Sequence, residues 1–559
     1  MKINSIQNIQ TNHSAALNND KNARQNSGGN VTFKGFASAM NFLATNPVWG
    51  ATAVDITSMG TPRTCIDTCK RGVTAGMETG FREFSSTGNE ALIGLYGLFA
   101  GTLLSGTLSK RFGVKDPQRI FASDTSIDVY TEKWKAHNGD IDGYINDCID
   151  NFKGYNPNST KADKKGYVKI PEEYKQDIFN DMKSLTQTGI SKKERKIVTQ
   201  RLNARITEAS GAETKVVLEH GNKATTASLN TMTDNFYRLT KAFKENGKAA
   251  EVDKFVSKLK TFGKKRAGLG LGLAMAVSAG AQPLNVYMTK KRTGSDGFAG
   301  MPGREKDNSS EFKLMKGASA AAMAGLAMAS MQAKPTQVLD KILFKGTTPT
   351  INQFKALYAT TISSRMLSAR DKDELRECDT KDILGFLNWL VLGNFVEKGV
   401  VSGLQDKKNP LIKYNKEGTK DGFLYKHFGE KVDRFFNSTI TSRKEVVTET
   451  LKKEGVSSIK PDGKAMNLAE MMKLLPKDSP VRKNLKILNI GQIAGYVYSC
   501  AVLGLGIPSL NIAITNSCEK KRNREKLNLI ASEKNRNFVS SKSNLDAFTS
   551  FKGRLNMTK

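Results

Sequence analysis

The stretch Ile487–Cys518 contains no charged residue, in a chain where 25% of residues are charged. It reads ILNIGQIAGYVYSCAVLGLGIPSLNIAITNSC, with Lys483 and Lys486 before it and Lys520, Lys521, Arg522 and Arg524 after it. About 20 consecutive apolar residues let a helix cross a bilayer. A helix in a soluble core seldom stays apolar on every face for so long. The segment therefore implies that lipid is the solvent around part of this chain.

Composition sets the other bounds. At 559 residues the chain can build several cores. The mean hydropathy of −0.42 hides the pattern, because apolar residues concentrate in blocks between Lys-rich stretches. The net charge of +32 favours anionic partners, nucleic acid or the anionic face of a membrane, and says nothing about fold. Cys65, Cys69, Cys148, Cys378, Cys500 and Cys518 are spread thinly, which is no disulfide framework and favours a reducing compartment. Residues 1–32 read as a disordered leader rich in Asn, Gln and Ser, without the apolar core of a cleavable signal peptide.

The pattern predicts a mainly α, multi-span membrane protein with long basic helical regions outside the bilayer. A first half, 33–292, holds apolar blocks 35–54, 91–108 and 267–289 and a helical insert, 109–266. A linker, 293–316, leads to a second half, 317–522, with blocks 317–333, 383–404 and 487–518 and a helical insert, 405–486; a basic tail, 523–559, follows. Blocks 91–108, 267–289 and 487–518 are the strongest spans. Block 35–54 is weakened by Asn41, Asn46 and Pro47, and block 383–404 by Glu397 and Lys398; block 317–333 is short and mostly Ala and Met.

The blocks resemble one another in order. Lys34–Met40 resembles Lys316–Met323, Arg82-Glu83 resembles Arg376-Glu377, and Pro283–Thr289 resembles Pro508–Thr515. Three matches in one order suggest an internal duplication. With three spans in each half, the halves would be inverted, as in many transporters. Chance similarity among Gly/Ala-rich segments is the plain alternative.

Within the inserts, Ser191–Ser210 places Ile197, Leu202 and Ile206 at helical spacing among basic residues. Val252, Phe255, Val256, Leu259 and Phe262 form a stripe beside Lys254, Lys258, Lys260, Lys264, Lys265 and Arg266. Such a helix suits an anionic leaflet, although packing on its neighbours is the commoner fate. Phe423, Tyr425, Phe428, Phe435 and Phe436 mix with Lys426, Lys431 and Arg434. That mixture can stack nucleobases, but more often it is the core and wet face of a helix pair.

Catalytic signatures are missing. The sequence has no Gly-x-Ser-x-Gly elbow, no phosphate loop and no Cys-x-x-Cys or His-x-x-x-His pair, so no enzyme activity, cofactor or metal is expected. Gly97 with Gly101, Gly268 with Gly272, and Gly491 with Gly495 are Gly-x-x-x-Gly pairs in the three strongest blocks, suited to close helix packing. Between Thr61 and Glu90, Asp67–Arg71 and Glu78–Arg82 are spaced as helical ion pairs. Arg63 and Arg82, near the membrane, are candidates for an anionic lipid headgroup. The bilayer and its anionic headgroups are the expected partners, and transport or channel activity is the most concrete reading. A membrane-surface scaffold and a soluble helical nucleic-acid binder are the alternatives.

Overall fold

The computed structural model describes residues 40, 43 and 47–556, apart from 214, 222, 247–248, 302, 332–337, 347–348, 389–393, 415–422 and 477. The leader, most of the apolar start of block 35–54 and the middle of block 383–404 lie outside the described residues. The chain is mainly helical, as its apolar periodicity predicts.

The first unit of the bundle begins with α1 (Pro47–Val54), which passes through a π-helical turn (Asp55–Gly60) into α2 (Thr61–Arg71). Gly72, at φ 91°, reverses the chain into α3 (Val73–Ala91). Only glycine adopts such a φ at little cost. Then come α4 (Ile93–Leu104) and α5 (Gly106–Phe112).

The first insert departs from expectation. It carries helices α6 (Asp124–Ala136), α7 (Ile141–Asn151), α8 (Glu172–Leu185), α9 (Lys192–Ser210) and α10 (Leu229–Asn246). It also carries a four-stranded antiparallel sheet of β1 (Lys153–Tyr155), β2 (Tyr167–Lys169), β3 (Val216–His220) and β4 (Lys223–Ala227), in the order β2-β1-β3-β4. The insert is thus α+β rather than purely helical. Ser191 caps α9 through a capping box with Glu194.

Helix α11 (Ala249–Thr293) joins the insert to the bundle. Its first turns bury Val252, Phe255, Val256, Leu259 and Phe262 in the insert core, so this stripe faces protein and not a leaflet. After α12 (Ser310–Ser330), the second unit runs through α13 (Ile351–Ser368), α14 (Lys372–Cys378), a π-helical turn (Asp379–Ile383) and α15 (Phe395–Leu404). The second insert, with strands β5 (Ile412–Lys413) and β6 (Thr439–Ile440) and helices α16 (Arg443–Lys453) and α17 (Leu468–Leu474), has its own core. It too is not purely helical. Finally α18 (Pro480–Tyr498), a π-helical turn (Ser499–Gly506) and α19 (Ile507–Asn556) form one long rod.

Two helical runs, Glu251–Thr293 and Pro480–Lys534, are long and apolar enough to cross a membrane by length and composition.

Helix directions are legible from pair contacts. Ser278 meets Thr361, and the Ala279 carbonyl accepts from Ser364, so α11 and α13 run parallel. Asn89 donates to the Ala274 carbonyl and Asn285 to the Glu78 carbonyl, so α3 runs against α11. Lys316 reaches the Ala369 carbonyl and Lys355 the Ser330 carbonyl, so α12 runs against α13. The inserts meet at one end of the bundle. Asn158 donates to the Ile412 carbonyl at 2.8 Å, and Lys413, paired with Glu445 at 3.1 Å, reaches the Tyr155 carbonyl. The two inserts therefore lie together, whereas the inverted arrangement expected from the sequence would hold them at opposite ends of the bundle.

Glycine packing follows the expected set in part. A Cβ on Gly97 would lie 2.6 Å from the Phe344 ring, and one on Gly101 2.9 Å from Gln118. Gly491 is equally tight, with Val401 at 2.5 Å, whereas Gly495 makes only an ordinary contact. Gly268 and Gly272 face open space. Gly270, between them, is the one that approaches α4: a Cβ there would lie 3.1 Å from the Gly97 Cα. A two-residue step on a helix turns about 200°, to the opposite face.

Candidate functional site: a buried ion network between the two units

The interior of the bundle is charged. Arg63, Arg370, Glu78, Glu83, Glu90, Arg365, Glu374 and Asp382 are all under 9% exposed. They form three levels along the helices.

At the level of the α2–α3 and α13–α14 turns, two reciprocal pairs cross between the units. Arg71 is bidentate on Glu377, at 2.8 and 2.5 Å. Arg370 is bidentate on Glu78, one bond at 3.2 Å, and also donates to Glu374 at 3.0 Å. The backbone carbonyls of the same two glutamates accept from matching asparagines, Glu78 from Asn285 and Glu377 from Asn511. Such forked contacts are the strongest polar pairings available to a guanidinium. The Phe298 ring, from the linker, lies 5.2 Å from the Arg71 guanidinium and 5.9 Å from that of Arg370. The expected pair Asp67–Arg71 forms, at 3.6 Å. The expected pair Glu78–Arg82 is replaced by Glu78–Arg370, because a partner from the other unit can present its fork face-on.

One step deeper, Glu83 is surrounded by Lys381 at 3.2 Å, Arg63 at 3.3 Å, Arg82 at 3.4 Å and Arg365 at 3.7 Å. Arg365 also pairs with Asp382 at 3.1 Å. The π-helical turns bring part of this set inward. Lys381 and Asp382 sit on one such turn, and the Leu503 carbonyl on another accepts from Arg63 at 3.2 Å. Single π-turns inside helices recur at functional sites.

Deepest are two carboxyl groups without an ion partner among the described residues. Asp55 accepts from Thr87 at 2.8 Å and Glu90 from Ser86 at 3.0 Å.

A cavity of about 30 Å³ lies between the units, lined among others by Arg63, Arg71, Arg82, Lys381, Asn511 and Phe298. It has room for roughly one or two water molecules. The linker residues Phe298, Ala299 and Gly300 form part of its wall.

Arg63 and Arg82 thus come together, as the sequence grouping implied, but not at the headgroup level. Their side chains are 2% and 10% exposed and share Glu83, which corrects the expectation that they face lipid headgroups. Sequence reasoning missed Arg365, Arg370, Lys381 and Asp382. The available signal was a set of charges just outside block 383–404, in a helical stretch too polar to stand out. No group of three or more metal-ligating side chains is placed to hold a metal ion among the described residues. Comparison with models of known families, with curated proteins and with solved structures finds no match.

Proposed function

We propose that this chain is an integral membrane protein of transport or channel type, with its site at the interface of two like-oriented helical units. The observation that carries the reading is the ion network buried across that interface. Removing charges from water costs several kcal/mol per ion, and ionisable groups inside a membrane bundle are by default functional. The outward faces support a lipid surround. Leu95, Phe99, Leu103, Leu284, Tyr287 and Leu510 are each at least half exposed on the bundle helices, and exposed apolar side chains of this kind suit a lipid surround.

The reciprocal contacts also support the internal duplication, in a new register. Arg71 and Arg370 stand the same distance apart in sequence as Glu78 and Glu377, and as Glu83 and Asp382. That register places Arg82-Glu83 opposite Lys381-Asp382 rather than Arg376-Glu377. With α12 as a further crossing, both units run the same way, in the manner of parallel-repeat transporters.

The test has two stages. Alkaline carbonate is expected to leave the protein in the membrane pellet; its release would remove the membrane reading. Proteoliposomes are then expected to pass small ions at a rate that Glu83→Gln changes at least tenfold. Vesicles impermeable to a panel of small cations and anions would remove the transport reading.

A further inference from the structure

Charge is shared unevenly around the interface cavity. Arg63, Arg82 and Lys381 all line it, and each has Glu83 as its one carboxylate within 4 Å among the described residues. Glu83 also serves Arg365. The other acids of the lining are already committed. Glu78 and Glu374 hold Arg370, Glu377 holds Arg71 and the Thr515 hydroxyl, and Asp67 accepts from Thr79 at 2.5 Å. Donors are left over. Arg63 Nη2, Arg71 Nε and Arg82 Nε are buried and make no hydrogen bond. A buried donor without an acceptor costs about 1–3 kcal/mol, and more when it is charged.

From these unpaired N–H groups, beside three cations that share one carboxylate, we infer that the cavity is a binding site for one small anion, of halide or formate size, held by Arg63, Arg82 and Lys381. A water molecule in the same space would accept from one or two of the N–H groups but bring no charge to the three cations that share Glu83. An anion does both. A larger solute does not fit a space of about 30 Å³ while Phe298 is seated on Arg71 and Arg370. This inference deepens the transport reading, on which it rests for the biological use of the site, by naming the substrate class; binding itself needs only the cavity.

Chloride, bromide and formate are titrated calorimetrically into the full-length protein, solubilised in detergent and held in gluconate buffer. The wild type is expected to bind at one saturable site. Lys381→Met leaves Glu83 paired with Arg63 and Arg82, and is expected to weaken binding at least tenfold. Glu83→Gln removes the competing carboxylate and is expected to strengthen binding at least tenfold. Damage to the fold would weaken both variants, so the opposite signs are the signature. Binding of halides alone marks an inorganic anion, and binding of formate as well marks a carboxylate; either upholds the site. Absence of saturable binding to the wild type, or a shift of both variants in the same direction, overturns it. Anion binding without flux in proteoliposomes would strike the transport reading and leave the site standing. Cation flux without anion binding would do the reverse.

Discussion

Arg370 shows what a single residue contributes to this interior. Its guanidinium is 1% exposed, and its donors are divided between Glu78 of the other unit and Glu374 of the helix that follows it, α14. Removing one member of a buried pair leaves an uncompensated charge, at about 3–5 kcal/mol. Arg370→Met is therefore expected to lower thermal stability in detergent strongly. Glu78→Gln, which leaves Arg370 paired with Glu374, is expected to lower it less. A double variant, Arg370→Met with Glu78→Met, is expected to recover part of the loss, because neither charge is then stranded. A double-variant loss equal to the sum of the two single losses would show that the pair is not coupled. These residues illustrate how far the sequence speaks at this scale. Arg71 and Asp67 lie four apart on one helix, and their contact follows from helical geometry alone. Arg370 and Glu78 meet only because two turns, far apart in sequence, are brought face to face. Nothing local to either residue announces it.

At the scale of elements, the apolar blocks were legible because a long run without charge has few other solutions. Helix α13 was not. Gln353, Lys355 and Arg365 break its apolar pattern, yet all three are buried, together with Phe354, Leu357, Ile362 and Met366: this helix is enclosed on most of its faces. Periodicity rules calibrated on soluble cores read such a helix as a surface element. Strands β1 and β2 were equally hidden, since three residues each are too few to display alternation. Glycine spacing had a partial signal, with the right helices but the wrong face of α11. The crossing of α4 and α11 makes this testable. Gly97→Ala puts a methyl group into the Phe344 ring, and Gly270→Ala presses on the Gly97 backbone. Overpacking of this kind costs about 1–3 kcal/mol. Gly268→Ala and Gly272→Ala meet nothing within 4 Å, and are expected to be neutral or slightly stabilising, since alanine is the better helix former. Thermal melts of the four variants decide the point; a loss at Gly268 or Gly272 equal to that at Gly97 would contradict the packing described.

For the whole molecule, the decisive relation is between topology and the two polar inserts. The first insert joins α5 to α11 and the second joins α15 to α18, so units of like orientation place both inserts at one end of the bundle. Their direct contacts, Asn158 to Ile412, Lys413 to Tyr155 and Glu208 to Ser458, require that arrangement. The linker, with Arg304 bridging Asp371 and Asp373, then closes the other end, where Phe298 sits on the paired arginines. The ion network thus lies behind the linker, with the inserts beyond its deepest carboxyl groups. Single cysteines placed at Lys193, Asp462 and Lys291 in a cysteine-free background test this arrangement in sealed vesicles. A membrane-impermeant maleimide is expected to reach Lys193→Cys and Asp462→Cys from the same side, and Lys291→Cys from the opposite one. Labelling of the first two from opposite sides would restore the inverted arrangement and separate the inserts that this fold joins. Labelling of all three from one side would mean that α11 does not cross the bilayer, and that its apolar middle is shielded by protein instead.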